Sequence, residues 1–380
     1  MVSKKFKRRR ILKVKKRGKI FTTIFVTILI MAMLVLPVAC TTPQTASSGA
    51  ATEETAATAA KETVAETSAE ETAAKEGKHF EGINIVFDTG GPEGNPWSAI
   101  LYNGIKDAEK DLGCKVTMLY GDWSPEKMIS NFKTALATKP DGIITFGAPG
   151  DDALMPLVDE AISNGIIVEI INSPCPKIEA KYKAEGVGFV GAEMYDFGYM
   201  LAKAAVEKAG LKAGDRGMVW GLISQPARGE RSKGEVDALK EAGLTVDYLE
   251  ISPDVNADTT LGIPVFSGYV ASNPDVKLVI TDHGGLTGTF EALLKGAGKG
   301  PDDIYAAGFD MSPAIVEGVR NGYIDLVADH EPYVHGYLPI VQLCFAKAYK
   351  LAGLHINCGA GLVDKNNIEE IAPLVEKYLR

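Results

Sequence analysis

The chain is short of cysteine, short of basic charge beyond its first 19 residues, and without a complete catalytic signature. Its five cysteines, Cys40, Cys114, Cys175, Cys344 and Cys358, are spread over 380 residues. Their spacing fits no zinc motif, and they are too sparse for a disulfide framework, so most read as buried free thiols. Residues 1–19 hold 11 of the 40 Lys/Arg; the remainder sets 29 basic against 49 acidic residues, a net charge near −20. That leaves no basic face for a nucleic acid, and an acidic surface mainly favours solubility.

Several chemical motifs are present only in part. Gly186-Val-Gly-Phe-Val-Gly191 matches a dinucleotide fingerprint by letter. Its glycines lie inside an apolar strand pattern, however, and not in the turn after one, so no pyrophosphate cradle forms and no cofactor is expected. His330-Glu331-Pro332-Tyr333-Val334-His335 is one residue too long for a zinc-protease helix and has a proline inside it. Gly296–Pro301 lacks the glycine spacing and the Ser/Thr of a phosphate loop, and no Gly-x-Ser-x-Gly elbow occurs. With no nucleophile–base pair in view, the chain does not read as an enzyme, and no metal site is expected.

What is present begins with an export signal. The basic residues 1–19 precede Ile20–Ala39, whose only polar side chains are Thr22, Thr23 and Thr27. A positive segment before an apolar one directs secretion, although this one is long enough to stay as a spanning anchor. Leu36-Pro37-Val38-Ala39-Cys40 resembles the lipobox of bacterial lipoproteins, which implies a lipid on Cys40; Pro37 departs from the usual aliphatic residue. Thr41–Gly77 is Ala, Thr, Glu and Ser with almost no large apolar residue. It buries too little to offset chain entropy, so residues 41–78 read as a disordered tether after a signal in 1–40.

The folded part is organised around Ile83–Trp97, I-N-I-V-F-D-T-G-G-P-E-G-N-P-W. A buried strand opens there into a loop with three glycines and two prolines, and Asn95-Pro96-Trp97 leads into an amphipathic helix. The carboxyl end of a strand is where open α/β sheets bind ligands. Nine more short, continuously apolar runs follow, at 116–120, 142–146, 166–171, 187–190, 217–222, 245–249, 278–281, 305–309 and 324–328. Such runs suit parallel strands covered on both faces. Between them, helical spacings such as Leu101, Ile105, Ala108 and Leu112 recur, and Ser124-Pro125 and Ser312-Pro313 read as N-caps followed by proline. Gly113, Gly165, Gly210, Gly243, Gly322 and Gly353 follow helical runs, where left-handed caps belong; Phe132 and Phe345 read as core. The alternation predicts an α/β fold. The Pro- and Lys/Glu-rich Asn172–Glu185 breaks its rhythm, which predicts two lobes of about five strands each, meeting near residue 191.

Taken in order, Asn95-Pro96-Trp97, Arg228-Gly-Glu-Arg231-Ser-Lys-Gly234 and Gly308-Phe309-Asp310, after an export signal, resemble the type I, ribose-like sugar-binding proteins of bacterial ABC importers. The resemblance implies two Rossmann-like lobes with parallel sheets, joined by three hinge crossings near Gly191, His330 and Asn357. The lobes would be 79–190 with 331–356, and 191–330 with 357–380. It further implies a monomer anchored outside the cell membrane or in a periplasm, which holds a sugar or polyol between its lobes and delivers it to an importer permease. A receptor for a furanosyl signalling molecule, coupled to a membrane sensor, has the same fold and stays open. By the same resemblance Asn95, Trp97, Arg231, Asp282, Asp310 and His330 fall at ligand contacts, with Arg228 beside Arg231 and His283 beside Asp282. An Asp-Arg pair of the family is Asn172-Ser173 here, and an aromatic of the second lobe falls at Asn256 or Ala257, which puts ribose itself in doubt.

These residue types suit a polyhydroxyl ligand. Trp97 supplies an apolar face for ring C–H groups. Arg231, Asp310 and Asp282 make charge-assisted hydrogen bonds, while Asn95 and Asn172 both donate and accept. Each also has a plainer role: Trp97 packing on its helix, Asp310 capping the helix at Ser312-Pro313, and Arg231 pairing with Glu235 one turn on.

Overall fold

A computed structural model of the chain describes residues 79–359 and 361–380. The export segment, Cys40 and the tether lie outside these residues. Among the described residues no helix is long and apolar enough to cross a membrane.

The first half alternates as expected: β1 (Asn84–Asp88), α1 (Pro96–Leu112), β2 (Lys115–Leu119), α2 (Pro125–Thr138), β3 (Gly142–Phe146), α3 (Asp151–Ser163), β4 (Ile167–Asn172), α4 (Pro176–Tyr182) and β5 (Gly188–Gly191). A second series follows: α5 (Met194–Ala209), β6 (Arg216–Gly221), α6 (Gly229–Glu241), β7 (Thr245–Glu250), α7 (Pro253–Ala257), α8 (Gly262–Ser272), β8 (Val276–Thr281), α9 (Gly284–Thr287), α10 (Phe290–Gly296), β9 (Tyr305–Phe309), α11 (Pro313–Arg320) and β10 (Leu326–Asp329). The chain ends with α12 (Pro332–Tyr349), β11 (His355–Asn357), β12 (Gly361–Val363) and α13 (Ile368–Val375).

The strands form two six-stranded sheets, β2-β1-β3-β4-β5-β11 and β7-β6-β8-β9-β10-β12. The two orders are the same, so each sheet reverses direction at its first strand, between β1 and β3 in one and between β6 and β8 in the other. All pairings are parallel except β10 with β12. The expectation of about five strands per lobe is thus short by one each. β11 and β12 are three residues long and sit at sheet edges, too short to carry a pattern.

Both faces of each sheet are covered. Along β1, Ile85 and Phe87 join Leu101, Ile105, Ile340 and Leu343 of α1 and α12. Val86 points the other way, toward Phe132, Leu136, Leu154 and Val158 of α2 and α3. Successive side chains of a strand alternate faces, so continuous apolar runs are what two covered faces require. In the second sheet Met218 and Trp220 face Phe266, Phe290 and Ile315, while Val219 faces Leu201 and Leu239 of α5 and α6. The predicted caps at Ser124 and Ser312 both accept a backbone N–H of the next turn.

Two expectations need correction. Gly353 is not a helix cap: α12 ends at Tyr349 and Lys350 takes the left-handed conformation (φ 57°). Gly353 is glycine because a Cβ there would lie 1.9 Å from the Val187 carbonyl oxygen. Phe345 is 38% exposed and packs beside Phe80 and Tyr349 at the surface, whereas Phe132 is core. Cys114, Cys175 and Cys344 are buried free thiols and Cys358 is a half-buried one.

Candidate functional site

A cavity of about 1210 Å³ lies between the carboxyl ends of the two sheets. The loops after β1, β2, β6, β7, β8, β9 and β10 line it, with Phe146 and Asn172 from the ends of β3 and β4, so it spans the reversal in both orders, at β1/β3 on one side and β6/β8 on the other. Neighbouring connections there run to opposite faces of the sheet and leave a crevice between them.

The first wall starts at β1. Asn95 caps α1 by accepting the Ser98 N–H at 2.9 Å, and Pro96 follows as the first helical residue. Its carbonyl oxygen is thereby occupied, and the amide nitrogen is the group left for a ligand. The Trp97 indole N–H donates to the Thr89 carbonyl at 3.2 Å, and the residue is 6% exposed. Its ring meets Trp123 and Phe146 edge-on at 6.1 Å, and His330 and His335 at 5.7 and 5.4 Å. Trp97 is therefore core and cavity wall at once. Asn172, the last residue of β4, has φ 68° and accepts the Ser173 hydroxyl at 3.0 Å, which leaves its amide nitrogen free.

The second wall is charged and tightly braced. A Cβ at Gly198 of α5 would lie 2.1 Å from the Arg231 carbonyl, and one at Gly234 would lie 2.1 Å from the Tyr195 carbonyl. These two glycines let α5 and α6 meet backbone to backbone, which seats Arg231 under the cavity. The Arg231 guanidinium pairs with the Asp282 carboxylate, donates to His330 Nδ1 at 3.2 Å, and lies 4.0 Å over the Phe309 ring. Ser232 donates its hydroxyl to the same carboxylate. Asp282 is wholly buried and, unlike the other nine residues expected at the site, does not line the cavity. Its place is behind Arg231, which it holds. The Arg231–Glu235 pairing is absent: Glu235 is buried with both oxygens unpartnered. Burial, and then the neighbouring Asp282 charge, push its pKa well above the usual carboxylate range, so it is neutral.

The histidine protons follow from their partners. Arginine only donates, so His330 Nδ1 accepts and the ring proton sits on Nε2, which has no partner. Burial lowers the His330 pKa, which keeps the ring neutral. His283 caps α9, its Nδ1 accepting from Gly285 and Leu286 at 3.0 and 3.4 Å, so its proton is also on Nε2. Burial, and then repulsion from Arg228, push its pKa down to about 3. Asp310 does not cap α11, because Ser312 does. It stands at φ 69° with Oδ1 unpartnered, 3.8 Å from His330 Nδ1. Burial raises its pKa, but it is held below the ordinary value with the cationic Arg231 and Arg228 nearby, so it is ionised. Asn256 lines the cavity with a buried, unpartnered Oδ1, and Ala257 lines it too.

Trp123, Phe146 and Gln225 also line the cavity and were not expected there. Trp123 sits at φ 56°, a costly conformation for a bulky residue, with its ring 5.9 Å from the Arg228 guanidinium and 6.5 Å from His283. Its position after β2 and directly before the Ser124-Pro125 cap was the available signal. Strain of this kind is kept where the surrounding structure holds it for a purpose.

Comparison with known proteins agrees with this geometry. The periplasmic binding protein domain family matches residues 89–347. A xylose/arabinose-binding protein of Sulfolobus acidocaldarius is 23% identical over 72% of this chain and 69% of its own length. A D-ribose/D-allose-binding protein of Pseudomonas aeruginosa is 25% identical over 60% of this chain and 66% of its own. Among solved structures, a carbohydrate transporter from Acidothermus cellulolyticus in complex with myo-inositol superposes with a TM-score of 0.66 at 20% identity, over 78% of this chain and all but 1% of the other. An ABC transporter solute-binding protein from Burkholderia graminis in complex with D-arabinose gives 0.67 at 18%, over 77% and 98%. At such identities these structures speak for the fold.

Proposed function

This chain belongs to the periplasmic binding protein domain family, and from that premise we propose that it captures a monosaccharide or polyol between two lobes outside the cell and delivers it to an ABC importer. The lobes are taken as residues 79–190 with 331–356 and 191–330 with 357–380. A lipid on Cys40 anchors the protein, residues 41–78 act as its tether, and a monomer closes on its ligand by hinge bending.

The observation that carries this reading is the opposition of two unlike walls. Trp97, Trp123 and Phe146 offer apolar faces for ring C–H groups on one side. On the other, Asp310, Arg228 and the Nε2–H of His283 offer hydrogen bonds to the same space. Sugar hydroxyls use both kinds of surface, and leaving such groups unpaired is costly, which supplies selectivity. The curated relatives are named as sugar-binding proteins and not as enzymes.

A thermal-shift scan of pentoses, hexoses and polyols tests it. A true ligand at a hundred times its Kd stabilises by about 2.7 kcal/mol. A scan without any hit among these classes removes the reading. For the anchor, mass spectrometry of the mature protein should find a lipid on Cys40; an intact N-terminal segment would show a spanning anchor instead.

A further inference from the structure

The cavity holds a cation with spare hydrogen-bonding capacity. Arg228 is 9% exposed and lines the cavity. Among the described residues it makes one hydrogen bond, from Nη2 to the Asp282 backbone carbonyl at 3.1 Å, and packs on Trp123. A guanidinium has five N–H donors, so most of this one's are unspent. No carboxylate is hydrogen-bonded to it: the nearby Asp282 side chain is taken by Arg231 and Ser232. Burial, and then repulsion from Arg231, pull its pKa down to about 10, against the opposing pull of the nearby Asp282 and Asp310 carboxylates.

The rest of the lining adds to the imbalance. His283 presents an Nε2–H, and Asn95 and Asn172 each have their carbonyl oxygen engaged and an amide nitrogen left. The acceptors without a hydrogen bond include the partly exposed Asp310 carboxylate, whose Oδ1 is buried, and the buried Asn256 Oδ1. Carboxylates at the rim are engaged locally: Asp122 with Lys127, Glu126 with Ser124, Asp258 with Thr260, and Glu250 with Ser224 and Tyr248.

We infer that the ligand is a monosaccharide carrying a carboxylate, a sugar acid of the uronate class, with its carboxylate on Arg228 and hydroxyls on Asp310. This rests on the sugar-receptor reading above and narrows it. A planar carboxylate matches the guanidinium fork at two points and needs no proton of its own. The aromatic side chain beneath the guanidinium keeps that fork in plane without spending its donors. Asp310 then accepts from ring hydroxyls, and a second carboxylate beside it would be repelled.

The test is calorimetric titration of the full mature chain with matched pairs. D-glucuronate is set against D-glucose and against D-xylose, which is the same ring without the carboxylate, and D-galacturonate against D-galactose. D-glucose 6-phosphate serves as the phosphate control. In the native protein at least one acid should bind about tenfold or more tighter than its neutral partners, and tighter than the phosphate. Arg228→Gln should cut that preference below about threefold while neutral binding changes less, a ratio that general loosening of the fold would not move. Neutral sugars binding as tightly as the acids overturn the inference and leave the sugar receptor standing. So does a preference that persists in Arg228→Gln, or the phosphate binding best. No binding by either acid overturns the inference, while the receptor itself falls only if the thermal-shift scan of pentoses, hexoses and polyols is also blank.

Discussion

The two walls of the cavity solve the same problem by different means. The wall from the first sheet is aromatic, with Trp97, Trp123 and Phe146 packed edge to face and two amides at its margin. That from the second sheet is ionic: Arg231 is locked by Asp282, and Asp282 in turn by Ser232. The contrast extends to the carboxylates at the strand ends. Asp88 closes β1 with two donors, Gly90 N–H at 2.9 Å and Asn131 Nδ2 at 3.0 Å, and burial still pushes its pKa up to about 6. Asp310 closes β9 among cations and is held low despite burial. The first wall tolerates loss of charge, whereas the second depends on it.

The largest test of this contrast is Arg231→Ala. It strands the buried Asp282 carboxylate, and unpairing a buried ion pair costs about 3–5 kcal/mol. Urea unfolding should show that loss, and ligand affinity should fall with it. A change under about 1 kcal/mol would mean the pair does not hold the wall.

Asp88 gives the next largest effect, and its sign is opposite to that of Asp310. With a folded pKa of about 6 against an ordinary 3.8, the native state binds more protons between those values. Stability from this group is therefore full below pH about 4 and is lost as pH rises toward 6, by about 3 kcal/mol at most. Thermal midpoints across that window should fall with pH in the native protein and fall less steeply in Asp88→Asn, the remaining slope coming from Asp325, whose pKa burial also raises to about 6. For Asp310 the stabilisation is present above the ordinary value of 3.8 and is lost only as pH falls through its lowered pKa.

Trp123→Ala separates binding from stability. The residue is half-buried and in a strained backbone conformation, so its removal should cost the apo protein only about 1–2 kcal/mol while erasing the ligand-induced thermal shift. An unchanged ligand shift would take Trp123 out of the site. Trp97→Ala, by contrast, should destabilise the apo protein as well, because that ring is core. The smallest effect belongs to Glu235→Gln. Glu235 is already neutral and unpartnered, so unfolding at pH 7 should move by less than about 1 kcal/mol. A larger loss would show that its charge is used after all.

Much of this was legible in the residues and some was not. β3 and β9 run over the very residues expected, because a five-residue apolar run bounded by turn residues has few other readings. The edge strands β11 and β12 were invisible at three residues each. For the site, Trp97 and Arg231 announced themselves through the residues around them. Trp123 did not, since an aromatic after a strand is common and only its left-handed backbone marks it out. Asp282 and Glu235 show the limit most plainly. Both are carboxylates within reach of the same arginine in any helical or strand-end drawing, and only packing makes one its ionised partner and the other a neutral bystander.

By itself the sequence determined the alternation of covered strands and capped helices, and hence an α/β protein with its loops gathered at the strands' carboxyl ends. Periodicity and capping are local, and each is set within a few residues of chain. The tertiary structure alone decided which loops share a cavity, which carboxylate keeps its charge, and which cation is left with donors to spare. Those outcomes depend on burial and on neighbours tens to a hundred residues away, as with Arg231 and His330, and no short-range pattern encodes them.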